Sequence, residues 1–170
     1  MVEIRKASKA DLQVIHDMAE VVFRHTYRDI LSSVQLEYMM DMMYSMPNLE
    51  QQLVDGHEYY LAYEEDIPCG YVSVQREGPD SEGVEVFHLH KIYVMPACQG
   101  NGVGMSLFNR VIEHVRANAA GGHGRIELNV NKHNKAVDFY RHIGMRVLLE
   151  EDFPIGNGFY KTDYIMGLDI

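Results

Sequence analysis

The sequence of 170 residues contains no tryptophan, only two cysteines, and only 15 basic residues against 25 acidic ones. Cys69 and Cys98 form no C-x-x-C pair, so a disulfide framework is excluded and both are expected to be free thiols in a reducing compartment. The formal net charge of −10 argues against a nucleic-acid-binding surface. It favours a cationic small partner by long-range attraction, although an acidic surface also keeps a cytosolic protein in solution.

Long apolar runs are also missing from the sequence. No stretch approaches the roughly 20 apolar residues that cross a bilayer, and the first residues, MVEIRKASKADL, contain no apolar signal-peptide core. We therefore expect a cytoplasmic protein that does not associate with membranes. Apolar residues make up 46% of the chain and charged residues 24%, as in ordinary globular proteins. The length suits a single domain over residues 1–170.

Secondary structure is predicted from the spacing of apolar residues, which alternate in strands and recur every three or four positions in helices. The predicted strands cover residues 2–5, 58–63, 69–74, 88–94, 125–130, 145–150 and 160–168. Four helices are predicted: one begins after Ser8, one runs from 32 or 33 to near 45, one begins after Gly104, and one runs from 134 to 143. Residues 76–83 and 154–158 are predicted to be loops. The order β-α-α-β-β-β-α-β-α-β-β indicates an α/β protein with a mixed sheet.

The stretch 88–104, HLHKIYVMPACQGNGVG, joins a predicted strand to a predicted helix through a glycine-rich turn. Glycines let the backbone approach a ligand, and the unpaired amides and dipole of a helix start bind negative charge. The turn is therefore a candidate phosphate site, formed by Gln99, Gly100, Asn101, Gly102, Val103 and Gly104. It is not a P-loop, because no Lys-Ser or Lys-Thr follows it. It is not a Rossmann loop either, because its glycines are spaced G-x-G-x-G.

Two stretches of the sequence resemble motifs of the GNAT superfamily, the N-acyltransferases that use acetyl-CoA. Gln99, Gly102 and Gly104 match the pattern Q/R-x-x-G-x-G/A. Residues 131–145 resemble N-x-x-A-x-x-F/L-Y-x-x-x-G-F, with matches in register at Ala136, Phe139, Tyr140 and Gly144. Two positions depart from this second pattern. His133 replaces the asparagine that contacts pantetheine in the family, with Asn134 adjacent, and Met145 replaces phenylalanine with little change of volume.

The resemblance implies a GNAT fold, in which helices flank a mixed, mostly antiparallel central sheet and CoA binds where two strands splay apart. It implies acetyl-CoA as co-substrate, with the pyrophosphate held by backbone amides of 99–104. The pantetheine would pair like an added strand along Ile92, Tyr93 and Val94, with His133 and Asn134 as polar contacts.

The implied activity is transfer of the acetyl group to a primary amine of a small molecule. A peptide or protein N-acetyltransferase and a non-catalytic acyl-CoA sensor on the same fold remain alternatives. Dimerisation is common in the family, and the sequence leaves open whether this chain forms a homodimer.

Acyl transfer to an amine needs a base for the ammonium group and an acid for the leaving thiolate. His88 and His90 are candidate bases, because they share one face of a strand and imidazole ordinarily titrates near neutrality. In the resemblance His88 stands where many members, including histone acetyltransferases, have a catalytic glutamate, and the pair is similar to that of serotonin N-acetyltransferase. The sequence favours the base at His88, with one ionisation near neutrality in kcat/KM. It leaves His90 open between a base and a structural histidine.

Tyr140 matches the family tyrosine that protonates the CoA thiolate, and the match in register favours that role over a core aromatic. A metal site is not expected at the histidine pair, because zinc needs three or four ligands. Cys98 and His133 are the remaining candidate ligands, and their spacing supports no site.

The acceptor is expected to be a small primary amine, with spermidine or spermine the first to test. Residues 26–31, 38–44 and 162–166 resemble bacterial polyamine acetyltransferases of the GNAT group, and the net charge attracts polycations. Carboxylates around a tyrosine-lined and methionine-lined cleft would suit an extended amine; the candidates are Asp29, Asp41, Glu85 and Asp163, with Tyr38 and Tyr44. The histidine pair instead favours a less charged amine. The methionines of 39–43 suit core packing and an adaptable substrate wall equally.

Overall fold

The computed structural model describes every residue from Met1 to Ile170. One seven-stranded sheet has the order β1-β2-β3-β4-β5-β7-β6. The strands are Val2–Lys6 (β1), Glu58–Glu64 (β2), Ile67–Pro79 (β3), Glu85–Val94 (β4), Arg125–Asn131 (β5), Arg146–Gly156 (β6) and Phe159–Asp169 (β7). All neighbouring strands are antiparallel except β4 and β5, which are parallel. This arrangement confirms the expected mixed, mostly antiparallel sheet.

Helices cover both faces of the sheet. They are Leu12–Tyr27 (α1), Ser33–Tyr44 (α2), Met46–Val54 (α3), Val103–Asn118 (α4) and Ala136–His142 (α5). The first three pack on one face through side chains such as Phe23 and Tyr44, and α4 and α5 pack on the other through Phe108 and Val137. None of these helices is both long and apolar enough to cross a bilayer.

Helix α3 lies where the sequence predicted no helix. Pro47 indicated a break after α2, and the break is real, since Ser45 adopts ψ 147°. A new helix begins at once, however, and Pro47 lies in its first turn, where the missing N–H would have no intrahelical partner. The proline therefore marks a helix start as well as a stop.

Residues 76–79 of the predicted loop over 76–83 are strand, so that prediction is wrong for the first half of the segment. Strand β3 continues to Pro79 and β4 begins at Glu85. Arg76 Nε donates to Glu85 Oε2 across the pair at 2.8 Å, and the backbone N–H of Val84 donates to Asp80 Oδ1 at 2.9 Å in the short turn. Polar residues indicated a loop, but here they pair with each other at the solvated end of a hairpin. In the same way β6 extends to Gly156, well beyond the predicted end at 150.

A bulge in β4 decides which side chains face each layer of helices. Opposite β3, Lys91 pairs with Ser73 and Leu89 pairs with Val74, so His90 is an extra residue in the ladder. Before the bulge, Leu89 packs on the α4 side; after it, Ile92 also packs there, although its number has the opposite parity. His90 and Lys91, which are neighbours in sequence, consequently both lie on the side of α1–α3.

Candidate functional site

Strands β4 and β5 separate beyond His88, and the gap between them is the centre of the site. Their pairing covers three positions and ends where His88 meets Glu127, although β4 continues to Val94 and β5 to Asn131. The edge of β4 that faces β5 is thus without a partner strand at Ile92, Tyr93 and Val94. An extended ligand arm can pair with such an edge as an added strand.

The glycine-rich turn lies at one end of this gap and presents backbone amides. Gly100 and Gly102 have φ of 86° and 76°, a left-handed conformation that strains other residues. The amides of 100–102 make no backbone hydrogen bond, and Gly102 begins α4 without a side-chain cap. The first helical bond runs from Ser106 N–H to Gly102 O, at 3.0 Å. The first turn of α4 contains no acidic residue, so these amides are available to an anion.

The second motif meets the turn from the other side of the gap. A Cβ added at Gly104 would lie 3.7 Å from Val94 Cγ2 and 3.8 Å from Phe139 Cζ. Asn134 Oδ1 accepts a hydrogen bond from the N–H of Ala136 at the start of α5, and its Nδ2 donates to Tyr27 Oη at 3.2 Å. The side chain of His133 is exposed. Of the two predicted pantetheine contacts, Asn134 therefore reaches the site and His133 points to solvent.

Tyr140 lies in α5 and is buried, with 5% of its surface exposed. Burial raises the pKa of its hydroxyl well above the ordinary value, and the neighbouring Tyr27 hydroxyl raises it further. Tyr27 itself hydrogen-bonds to Tyr93 on β4, with 3.2 Å between the two oxygens. The raised pKa keeps the phenol protonated at neutral pH, which suits a hydrogen-bond donor.

A pocket opens into the gap on the side of α1 and α2; we call it the splay pocket. Its lining comes from α1, α2, β4, β5, β7 and the end of the α1–α2 connection: Phe23, Tyr27, Leu31, Met39, Met43, His90, Tyr93, Asn129, Asn131, Lys161 and Asp163. Two methionines of α2, Met39 and Met43, therefore line it, and Met39 also packs in the core with Met40. The core packing predicted for the methionine-rich segment is confirmed, and its use as a substrate wall stays a prediction.

One of the four predicted carboxylates lines the splay pocket. Asp163 is 1% exposed, and Lys161 Nζ lies 3.1 Å from its Oδ2. The contact is close enough for an ion pair, but its angle does not make a hydrogen bond, and no other donor reaches this oxygen. A buried carboxylate oxygen without a directed donor can accept a hydrogen bond from a ligand ammonium group.

The other three predicted carboxylates lie elsewhere, so their assignment to the cleft is wrong. Asp29 is exposed beside Arg28, and Asp41 lines a separate surface depression near Arg24. Glu85 pairs with Arg76 at the far end of β4. The predicted Tyr38 and Tyr44 are also absent from the lining: Tyr38 Oη donates to Ile155 O, and Tyr44 is fully buried. Sequence reasoning could not tell which acid faces inward, because the strand carrying Asp163 offers both faces.

His90 lines the splay pocket, and its tautomer follows from its partners. Gln75 Nε2 donates to Asp55 O at 2.9 Å, so Gln75 Oε1 is an acceptor. His90 Nε2 lies 2.8 Å from that oxygen and must be the protonated nitrogen, which leaves the lone pair on Nδ1. Burial, together with His88 and other nearby cations, lowers the pKa of His90 to about 2. His90 is thus a neutral group with a free nitrogen.

His88 lies behind His90 and does not line the pocket. The two ring centroids are 4.5 Å apart, and His88 Nδ1 is 2.8 Å from Glu77 Oε1. Burial lowers the pKa of His88, although Glu77 opposes that shift. The ionisation of His88 that was predicted near neutrality in kcat/KM is therefore expected at a lower pH, below the ordinary histidine pKa of about 6.5.

Two further residues beside the pocket gave no signal in the sequence. His57 stacks on His90, with 4.3 Å between ring centroids. Lys91 is 4% exposed, and its Nζ donates to Met43 O, Gln52 Oε1 and Tyr59 Oη. These three acceptors match the three N–H groups of an ammonium, while burial lowers the pKa of Lys91 to about 7. Burial lowers the pKa of His57, and the charge of Lys91 lowers it further.

The buried histidines predict that stability falls in acid. The folded chain lowers the pKa of His57, His88, His90 and His114, so below about pH 6.5 the unfolded chain binds protons that the folded chain does not. The free energy of unfolding should fall below that pH by up to about 1.4 kcal/mol per pH unit and histidine, and it should rise above about pH 7, where folded Lys91 loses a proton that the unfolded chain keeps. Urea midpoints at pH 7.5, 6.0 and 5.0 measure this. His90→Asn should reduce the slope and the exposed His123→Asn should not; equal slopes in both variants would contradict the assignment.

Comparison with known proteins agrees with this geometry. A family model described as an acetyltransferase (GNAT) domain matches residues 28–166. An uncharacterized N-acetyltransferase of Methanocaldococcus jannaschii is 38% identical over 92 residues, which are 53% of this chain and 39% of that protein. The match thus spans about two fifths of the length of this curated relative.

Solved structures show the same fold. The PaiA N-acetyltransferase of Thermoplasma acidophilum, in complex with coenzyme A, is 21% identical with a TM-score of 0.79, over 100% of this chain and 99% of that one. The ribosomal-protein-S18-alanine N-acetyltransferase of Escherichia coli is 15% identical with a TM-score of 0.71, over 100% and 94%. Because the family model covers most of the residues that build the gap, the turn and the pocket, the chain belongs to the acetyltransferase (GNAT) domain family.

Proposed function

We propose that the protein is an acetyl-CoA-dependent N-acetyltransferase whose acceptor is a small primary amine. The observation that carries this proposal is that three features follow one another along β4: the amides at the start of α4, the unpaired edge of β4 after His88, and the splay pocket. We refer to these three features together as the groove. An anion, an extended arm and an amine can thus occupy successive parts of it. Membership of the GNAT family and the coenzyme A complex of the Thermoplasma acidophilum PaiA protein support the same ligand.

The groove supports a direct transfer of the acetyl group to the amine. The pyrophosphate would lie on the amides of 100–105 and the pantetheine along Ile92–Val94, with Asn134 as its polar neighbour. The amine nitrogen would attack the thioester carbon from the splay pocket, and the C–S bond would break as the tetrahedral intermediate collapses. His90 Nδ1 could accept a hydrogen bond from the amine, but its lowered pKa makes it a weak base, so the His88–Glu77 pair behind it is the candidate to receive the amine proton. Tyr140 would donate a hydrogen bond to the leaving sulfur.

Asp163 is the proposed anchor for a second ammonium group of the acceptor. The buried oxygen of its side chain, the rings of Phe23, Tyr27 and Tyr93, and the net charge of −10 together favour a cationic, extended amine. Lys161 and Lys91 oppose this preference, since both place positive charge near the pocket. A diamine or polyamine fits both the buried Asp163 oxygen and the nearby lysine charge, if its second ammonium group, away from the reacting nitrogen, displaces Lys161 from Asp163.

A thiol-release assay with a panel of amines tests the acceptor class. We expect spermidine or spermine to give the highest kcat/KM among polyamines, arylalkylamines, amino acids and peptide N-termini. Asp163→Asn should raise the KM for a polyamine at least about tenfold, a loss of about 1.4 kcal/mol, with a small effect on acetyl-CoA. The exposed Asp29→Asn is the matched control. If an arylalkylamine or a peptide N-terminus exceeds both polyamines tenfold, the polyamine assignment is overturned.

The same assay separates the proposal from its rivals. A peptide or protein acceptor has a structural neighbour in the Escherichia coli S18-alanine enzyme, but the hairpin of β6 and β7 lies against α2 here. Gln35 Nε2 donates to Tyr160 O and Tyr38 Oη donates to Ile155 O, both at 2.9 Å. These contacts narrow the route by which an acceptor reaches the splay pocket, and they therefore favour a small amine. A non-catalytic sensor would bind acetyl-CoA tightly and release no thiol with any amine.

We also propose a cytoplasmic homodimer that joins through β6. This strand is an edge of the sheet, and Val147, Leu148 and Leu149 are 39%, 40% and 47% exposed on it. An exposed apolar edge strand favours pairing with another chain. Sedimentation equilibrium should give about twice the 19.5 kDa chain mass, and Leu149→Lys should give monomer. A wild type that sediments as a monomer at all concentrations overturns the dimer.

A further inference from the structure

Glu64, Cys69 and Cys98 come together from three separate segments of the chain. Glu64 ends β2, Cys69 is near the start of β3, and Cys98 directly precedes the glycine-rich turn. The carboxylate oxygen and the two sulfur atoms all lie within 4.8 Å of one another. Cys69 is fully buried, while Cys98 and Glu64 are partly exposed. The cluster therefore has a buried floor and an open side.

The spacing of these atoms is close to that of a tetrahedral zinc site. With Zn–S bonds of about 2.3 Å, tetrahedral angles place two thiolates about 3.8 Å apart. Ligand atoms already within 4.8 Å of one another need to move by no more than about 1 Å to reach it. The backbone is held in place, because Met95 N–H donates to Cys69 O at 2.9 Å.

The charges around the cluster also favour a cation. The basic residues of the adjacent strand β1 are paired with other acids: Arg5 with Glu3 and Asp66, and Lys6 with Glu58. Glu64 is left without a basic partner. Two thiols and one carboxylate match the preference of zinc, since thiolates select zinc over the hard cations magnesium and calcium.

We propose that Glu64, Cys69 and Cys98 bind one Zn²⁺ ion, with water as the fourth ligand on the open side. The ion would link the β2–β3 hairpin to Cys98, the residue before Gln99. It would thereby hold the chain in place where the glycine-rich turn begins. The proposal does not depend on acetyl transfer, since the site is separate from the splay pocket and binds its ion without a substrate.

Cobalt is a direct probe of this site in the full-length, reduced protein. Cys69 and Cys98 are the only cysteines, so a sulfur-to-cobalt charge-transfer band can arise only from them. One equivalent of Co²⁺ should give that band with the visible spectrum of tetrahedral cobalt, and Zn²⁺ should displace it. Binding to any of the nine histidines would give no such band. Zn²⁺ should also raise the melting temperature, because it binds the folded chain.

Three variants decide the ligand set. Cys98→Ser should abolish the band while the chain stays folded, since Cys98 is only partly buried. Glu64→Gln should keep the band but weaken Co²⁺ binding at least about tenfold, because one of three protein ligands is lost. The exposed neighbour Glu65→Gln should bind like wild type. The proposal is overturned if reduced wild type gives no band, if Glu64→Gln binds as tightly as Glu65→Gln, or if the isolated protein contains a Cys69–Cys98 disulfide that metal does not prevent.

Discussion

Replacing Gly104 with glutamate is expected to weaken acetyl-CoA binding at least about 100-fold, or about 2.7 kcal/mol. Gly104 lies in the first turn of α4, against Val94 and Phe139. The longer side chain would enter the gap, and its carboxylate would occupy the amides proposed to hold the pyrophosphate. Isothermal titration calorimetry measures the change. A carboxylate at a helix N-terminus favours the helix, so the fold should persist.

Gly104→Ala is the matched control for this substitution. Its Cβ would meet Val94 and Phe139 at 3.7–4.0 Å, which is ordinary van der Waals contact, and its φ is not in the left-handed region. We expect acetyl-CoA binding within about threefold of wild type. Normal binding by a folded Gly104→Glu protein would show that the pyrophosphate lies elsewhere.

Replacing Tyr140 with phenylalanine is expected to lower kcat about 100-fold, the lower end of the range for losing one hydrogen-bond donor to developing charge, with little change in acetyl-CoA affinity. The raised pKa of Tyr140 makes complete proton transfer to a thiolate, whose acid titrates near 8.5, unfavourable. We therefore expect the phenol to act as a hydrogen-bond donor to the developing thiolate. Steady-state kinetics with a saturating amine measures the loss.

The pH dependence distinguishes this role from simple packing. Because Tyr140 stays protonated, the wild-type kcat should show no falling limb from it up to about pH 9, above the ordinary thiol pKa. Phe139→Leu, a neighbouring substitution in the same helix, is the control for disturbed packing. If Tyr140→Phe and Phe139→Leu lower kcat equally, the catalytic role of the hydroxyl is wrong.

The layout of strands and the glycine-rich turn could be predicted because local chemistry determines them. The alternation of apolar residues placed all seven strands, and Gly100 and Gly102 have the left-handed backbone that their residue type permits. The match at Tyr140 placed that side chain in the same region as the turn, through Phe139 and Gly104. In these places the residues adjacent in sequence are enough to predict the local structure.

The parts that could not be predicted depend on contacts between distant residues. His90, rather than His88, lines the pocket, because the pairing of β4 with β5 ends at His88 and the gap begins beyond it. The bulge opposite Ser73 and Val74, which turns Lys91 to the same side, is a property of two paired strands. Lys91 appeared to be an ordinary strand residue, yet its acceptors come from α2, α3 and β2. Asp163 could not be separated from the other acids, since composition does not show which carboxylate a pocket encloses.

Because of the bulge at His90, the number of residues in β4 is as constrained as their identity. The residues before and after it follow two alternations that are out of phase by one position. A deletion of His90 would rejoin the phases and remove the bulge, so Leu89 and Lys91 would pair regularly with Val74 and Ser73 and keep their sides of the sheet. The splay pocket would then lose the histidine in its lining. An insertion in the exposed turn 80–84 would leave both phases intact. Gaps in related sequences should therefore be tolerated at that turn and absent from the centre of β4.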